Sequence, residues 1–278
     1  MKRLDVLLLF LTLLALLSCR TPLRQGVPLS GDDPRPTQLL DGLEEQARMR
    51  TALQGSARLS IEADDLTFSR PQRMAVEKPG RLRVEVLGLF DQVAALVVTR
   101  DRFFQFFDAR TGRLEEGRVD PEILWRVARI DLSPQEAAGL ILGSPSGQKG
   151  FRVSDAEEFE DGSTAFNRLD DQDIRRERYV FDELGRLVEI QRMTEEGDLI
   201  WQARYSGFRP VKRSGEETIS FAFDIELDFP RVKAEAKLAF KQVSLPETLP
   251  DALFELPRRD AAIREGRADS FSLVGTGP

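Results

Sequence analysis

The side chains that carry most enzyme chemistry are nearly missing from this chain: its 278 residues include no histidine and a single cysteine, Cys19. Without histidine there is no imidazole-activated nucleophile, no imidazole zinc ligand and no ordinary general base near neutral pH. One thiol can form neither an internal disulfide nor a two-cysteine metal knuckle. Carboxylates remain, and Asp64-Asp65, Glu157-Glu158 and Asp170-Asp171 are the adjacent pairs a hydrolase could use. Each lies in a polar, turn-like stretch, where a solvated loop is the plainer reading. A Gly-rich phosphate loop and a Gly-x-Ser-x-Gly elbow are both lacking. The expectation is a protein that is not an enzyme, with no cofactor and no metal site, whose one position for covalent chemistry is Cys19.

The surroundings of Cys19 say what that chemistry would be. Lys2 and Arg3 form a short basic start, Val6 to Leu17 is an apolar run, and Leu16-Leu17-Ser18-Cys19 ends it. The run has the length of a secretion signal's core and is too short to span a bilayer. Its end resembles the lipobox of bacterial lipoproteins, which implies acyl transfer to the Cys19 thiol and cleavage after Ser18. Two or three acyl chains hold a protein on a membrane where one does so only marginally. Arg20 follows the cysteine; the absence of Asp there points to the outer membrane. Residues 1–18 are thus read as a signal peptide. Residues 19–36, with Pro22, Pro28, Pro34, Pro36, Gly26 and Gly31, are read as the acylated cysteine and a flexible linker.

Composition bounds the body. Hydrophobic residues make up 41% and charged residues 31%, with a formal net charge of -7. This fits a globular domain and disfavours nucleic acid, whose phosphates need clustered Lys and Arg. Phenylalanine dominates the aromatics, 18 against 2 Tyr and 2 Trp. That is either an ordinary core or an interior lined for something greasy, since Phe adds apolar area without a polar handle.

The elements follow from periodicity. Thr37 begins a helix bearing Leu39, Leu40, Leu43 and Ala47. Period-two alternation then sets in: Ala57, Leu59, Ile61 and Ala63 on one strand, Leu82, Val84 and Val86 on another. Val93 to Val98 and Phe103 to Phe107 are apolar on both faces. Asp120-Pro121 and Ser133-Pro134 start two further helices, the second with Glu136 in capping-box position. Strands resume from Tyr179. The clearest pair sets Ile219, Phe221, Phe223, Ile225, Leu227 and Phe229 against Val232, Ala234, Ala236, Leu238 and Phe240. The expected fold is mainly β with α: one domain over residues 37–257, about eleven antiparallel strands covered by helices, followed by a polar tail over 258–278.

Arg81 to Phe90, Val93 to Phe107, Asp108 to Arg113, Asp120 to Pro145, Tyr205 to Val211 and Phe254 to Pro257 together resemble the LolA/LolB superfamily of lipoprotein carriers and outer-membrane receptors. The resemblance spans most of residues 37–257. It implies an incomplete β-barrel closed by helices around a hydrophobic cavity that takes acyl chains. Leu59, Ile61, Val84, Val86, Phe221, Phe223 and Leu238 are then candidates for its lining. LolB-like members carry an apolar residue on a protruding loop, and Leu87, Leu89 and Phe90 occupy that region here, either on an exposed tip or continuing a buried strand.

Two functions compete. The first is a lipid-anchored receptor in lipoprotein localisation to the outer membrane. It would bind acyl chains of lipoproteins or lipids, with a LolA-like periplasmic carrier as partner. The second is a non-transport envelope lipoprotein of the same fold: a lipid or lipoprotein sensor, or an assembly factor.

Overall fold

The computed structural model describes residues 26–144, 152–213 and 218–256. Cys19, the signal segment and the tail over 258–278 lie outside the described residues.

Fourteen strands form one antiparallel sheet in the order β1-β8-β9-β10-β11-β12-β13-β14-β2-β3-β4-β5-β6-β7, which is not closed into a barrel. In chain order these are β1 (Val27–Pro28), β2 (Ala52–Ala63), β3 (Leu66–Glu77), β4 (Arg81–Leu87), β5 (Val93–Arg100), β6 (Phe103–Asp108) and β7 (Arg113–Arg118). The second half runs through β8 (Arg152–Glu158), β9 (Thr164–Leu169), β10 (Arg175–Phe181), β11 (Leu187–Met193), β12 (Leu199–Lys212), β13 (Thr218–Phe229) and β14 (Ala234–Ser244). Helix α1 (Arg35–Met49) precedes β2, and α2 (Ile123–Ala128) and α3 (Pro134–Ile141) lie between β7 and β8. Nearly every strand pairs with its chain neighbour. The exceptions are β14 with β2, which joins the two halves, and β1 with β8.

The expected architecture is present, with three more strands than the roughly eleven expected from pattern. The period-two strands are where alternation put them, because a half-buried sheet needs one dry face. Leu53, Ala57 and Ile61 on β2 are buried, as are Phe221, Phe223 and Ile225 on β13 and Ala234, Ala236, Leu238 and Phe240 on β14. Part of the segment read as a flexible linker, residues 19–36, has regular structure. Val27 and Pro28 pair with Glu158 and Glu157 of β8. α1 begins at Arg35 after Pro34, ahead of Thr37, with no side-chain cap. α3 starts as expected: Ser133 accepts from the Glu136 amide, and the Glu136 carboxylate accepts in return from the Ser133 amide.

One large core lies between the sheet's inner face and the three helices. A smaller cluster lies on the outer face, where the terminal segment folds back: Leu249 and Phe254 cover Ala52, Ala75, Leu96 and Val98. The Leu249 amide donates to Glu77 Oε1 at 3.0 Å, and the Arg81 guanidinium stacks 4.2 Å above the Phe254 ring.

A cleft at the β4–β5 turn and a latched helical cover

β4 ends at Leu87, and the chain turns back into β5 through Gly88 and a single 3₁₀ turn over Leu89–Asp91. The turn is closed by the Gly88 amide donating to the Gln92 carbonyl at 2.8 Å. Leu87 is buried at 7% exposure, whereas Leu89 is 75% and Phe90 98% exposed. Of the two readings the sequence left open, Leu87 follows the buried one and Leu89 and Phe90 the exposed one. Phe90 and Asp91 both have φ near +59°, a left-handed backbone that costs an L-residue with a Cβ about 1–2 kcal/mol. A bulky aromatic that is fully solvated and also held at positive φ serves neither folding nor packing.

Beside this tip opens a cleft of about 780 Å³, lined by Leu66, Phe68 and Arg70 of β3, Val86, Leu87 and Leu89, Ala95 of β5, Asp108 at the end of β6, and Arg110. It exists because two neighbouring strands differ in length. β3 pairs with β2 along its whole run from Leu66 to Glu77. Its pairing with β4 covers only Gln72 to Glu77. Residues 66–71 therefore extend past β4, and Pro71, which lacks a ladder donor, sits where the β4 partnership has stopped. Leu66, Phe68 and Arg70 pair with Ala63, Ile61 and Leu59 of β2, so they share the inner face. A volume of this order is typical of small-molecule sites, about 300–1,000 Å³.

The other lining candidates go elsewhere. Phe221, Phe223 and Phe240 form an edge-to-face trio with centroids 5.7–6.5 Å apart. The void bordered by Phe221, Leu43, Ile141 and Tyr205 is only about 20 Å³. Leu59, Ile61 and Val84 pack into the core as well, and Leu238 is 7% exposed. Only Val86 lines the cleft. Among the described residues these candidates pack against the core, and the cleft that Val86 lines lies at the strand ends.

The helical cover is tied to the sheet by a few polar contacts, most of them using a carbonyl near a helix C-terminus. Arg50, 6% exposed, donates to Gly143 O at 3.2 Å and Ser220 O at 2.8 Å and also bonds Gln46. It has no carboxylate within ion-pairing distance among the described residues, and burial pulls its pKa down to about 10. Lys78 Nζ donates to Ala47 O in the last turns of α1 at 2.9 Å. Tyr205 Oη donates to Leu140 O of α3 at 3.1 Å, and burial raises the phenol's pKa. Arg129, following α2, holds Asp65 of the β2–β3 turn at 2.7 Å. Carbonyls at a helix end lack intrahelical donors, so cations and hydroxyls are natural partners for them.

Burial, and secondarily the nearby Arg50 charge, bring Lys78 down to about 8 from its ordinary 10.5. The unfolded chain then holds this proton between about pH 8 and 10.5 while the folded chain has released it. By linkage, this group's contribution to stability rises with pH across that window. Wild-type melting temperature should gain on that of Lys78→Met as pH goes from 7 to 10. A difference constant with pH would contradict the shift.

The acidic pairs serve structure. Asp65 binds Arg129, Glu157 binds Arg178, Glu158 binds Arg35 at 2.9 Å and Asp170 binds Arg176 at 2.7 Å. The hydrogen bonds from Arg129 and Arg176 lower the pKa of Asp65 and Asp170. A carboxylate dyad needs one member kept protonated, and this arrangement works against that.

No protein-family profile matches the sequence, and no curated protein does. The likeness is in the fold. A LolA superfamily protein from Nitrosomonas europaea aligns over 78% of this chain and 97% of its own, with TM-score 0.50 and 12% identity. A domain from Vibrio parahaemolyticus assigned to outer membrane lipoprotein sorting aligns over 78% and 94%, with TM-score 0.52 and 9% identity. The architecture is a LolA/LolB-like fold: a large antiparallel sheet, left open, with helices across its inner face.

Proposed function

We propose that this protein is a lipid-anchored envelope protein that takes up acyl chains of lipoproteins or lipids, acting as a LolB-like receptor in lipoprotein localisation to the outer membrane. Cys19 is its attachment point, and a LolA-like periplasmic carrier is its source of cargo. The observation that carries this reading is Phe90, exposed and conformationally strained at the mouth of a cleft of about 780 Å³. An aromatic presented this way gains free energy only by entering something apolar, about 1.5–3 kcal/mol when fully buried. A membrane surface and an acyl chain both meet that description.

The packed interior makes the described state a closed one. Loading begins in the cleft and continues by lifting the helical cover, with Leu59, Ile61, Val84, Phe221, Phe223 and Leu238 becoming contacts of the guest as α1 and α3 move. Few polar bonds oppose this motion. The apolar surface that the opening exposes is covered again by the acyl chain, so uptake and release stay near balance.

Binding of a fluorescent diacylated peptide, compared with the same peptide without acyl groups, tests this reading. Retention of the acylated form alone supports it. Equal behaviour of the two peptides overturns it.

A further inference from the structure

Among the described residues, Gln72 is the one side chain on this inner wall with both polar ends unanswered. It is fully buried, at 0% exposure. Neither its amide nitrogen nor its amide oxygen has a hydrogen-bond partner among the described residues. Its place in the ladder is definite. It pairs with Ala57 of β2 on one side and Val86 of β4 on the other, so the three side chains share the inner face. Val86 lines the cleft, and so does Arg70, two residues away on the same face of β3. On the other flank Met74 and Ala57 belong to the core. Gln72 thus stands at the boundary where the open cleft gives way to packed hydrocarbon.

A buried amide left unpaired costs stability, and an apolar residue of similar shape would avoid that cost. The glutamine therefore calls for a partner that arrives with a ligand. Among molecules with long hydrocarbon tails, the group found where tail meets head is the acyl carbonyl, an acceptor without charge. We infer that Gln72 Nε2 donates a hydrogen bond to the carbonyl oxygen of an ester- or amide-linked fatty chain. The inference rests on the acyl-binding reading above and deepens it by naming the group recognised. It also gives the bound chain a direction. With its carbonyl at Gln72, the tail runs inward toward Met74 and the core. The head leaves past Arg70, which is exposed in the cleft and forms no ion pair among the described residues.

The test compares three uncharged probes on the full chain by competition: monopalmitoylglycerol, N-palmitoylethanolamine and hexadecyl glyceryl ether. They supply an ester carbonyl, an amide carbonyl and no carbonyl beside the chain. Wild type should favour at least one carbonyl probe over the ether by about five- to tenfold, the worth of one net hydrogen bond. The two carbonyl arms separate the ester from the amide source. Gln72→Leu and Gln72→Met should bind all three alike and melt at a higher temperature than wild type. A wild type indifferent to the carbonyl, or a preference that survives in both variants, overturns the inference and leaves Gln72 as a hydrated core residue. Failure of every probe to bind wild type overturns the acyl-binding reading itself.

Discussion

Phe90→Glu is expected to leave the melting temperature where it is while slowing delivery of a bound diacylated peptide to vesicles by roughly tenfold or more. The first half follows from exposure: at 98% the ring makes no packing to lose. Surface substitutions of that kind usually change stability by no more than about 0.5 kcal/mol. The second half follows from what replaces the ring. Burying a phenylalanine at the membrane is worth about 1.5–3 kcal/mol, and each 1.4 kcal/mol is tenfold in rate or equilibrium. Leu184→Glu is the control, since Leu184 is also exposed, at 68%, but lies on the β10–β11 turn. Transfer measured from vesicle fluorescence should fall for the first variant and stay for the second. Equal rates for Phe90→Glu and wild type would remove the tip from the mechanism.

Phe90 also shows how far sequence reading reaches. The segment was identifiable from Leu87-Gly88-Leu89-Phe90, but its conformation was not. A strand run of alternating residues ends without announcing that the next two residues adopt positive φ. The cleft beside it was hidden for a different reason. Its far wall is the first half of β3, where Arg70 and Pro71 break the short alternation of Leu66, Thr67, Phe68 and Ser69. They are tolerated because β4 is too short to pair there. β2, β4, β13 and β14 were legible because one face is dry and the other wet. β8 and β9 were not, because Glu157, Glu158, Asn167 and Arg168 look like loop residues. Their charges are met by arginines and carboxylates from other parts of the chain, which no local pattern reveals. Gln72 was missed with its strand; once β3 is placed, a glutamine between Ala57 and Val86 stands out as a polar residue on an apolar face.

Glu177→Ala is expected to be the most damaging single substitution outside the apolar core, lowering stability by about 3–5 kcal/mol. Glu177, 1% exposed, receives Arg168 Nη1 at 3.0 Å, Arg192 Nη2 at 2.9 Å and Tyr179 Oη at 2.8 Å. Arg168 is itself buried, and Tyr179 is fully so, its phenol pushed up by burial and then by the neighbouring carboxylate. Truncating the glutamate removes the buried carboxylate that Arg168, Arg192 and the Tyr179 hydroxyl share. The Phe166–Tyr179–Phe181 stack, with centroids 5.5–6.3 Å apart, rests directly on this cluster, so the loss spreads into packing. Urea unfolding of the variant measures the effect, and a loss below about 1 kcal/mol would mean that water replaces the carboxylate. Replacing Glu177, Arg168 and Arg192 together by apolar residues should recover most of the stability, because desolvating the ions offsets much of their attraction.

The pairing of β14 with β2 has a consequence for how the molecule comes to exist. Almost every other seam is a local hairpin, but Glu235 to Ser244 meets Glu62 to Gln54, partners more than half the chain apart. As synthesis proceeds from the N-terminus, β2 through β7 can zip up early while one flank of β2 stays bare. An unpaired flank invites pairing with other chains until its proper mate arrives. Closing so distant a contact is slow, and the entropy of the loop must be overcome first. A chain interrupted before Ala234 would therefore yield a sticky half-sheet in place of a smaller working protein.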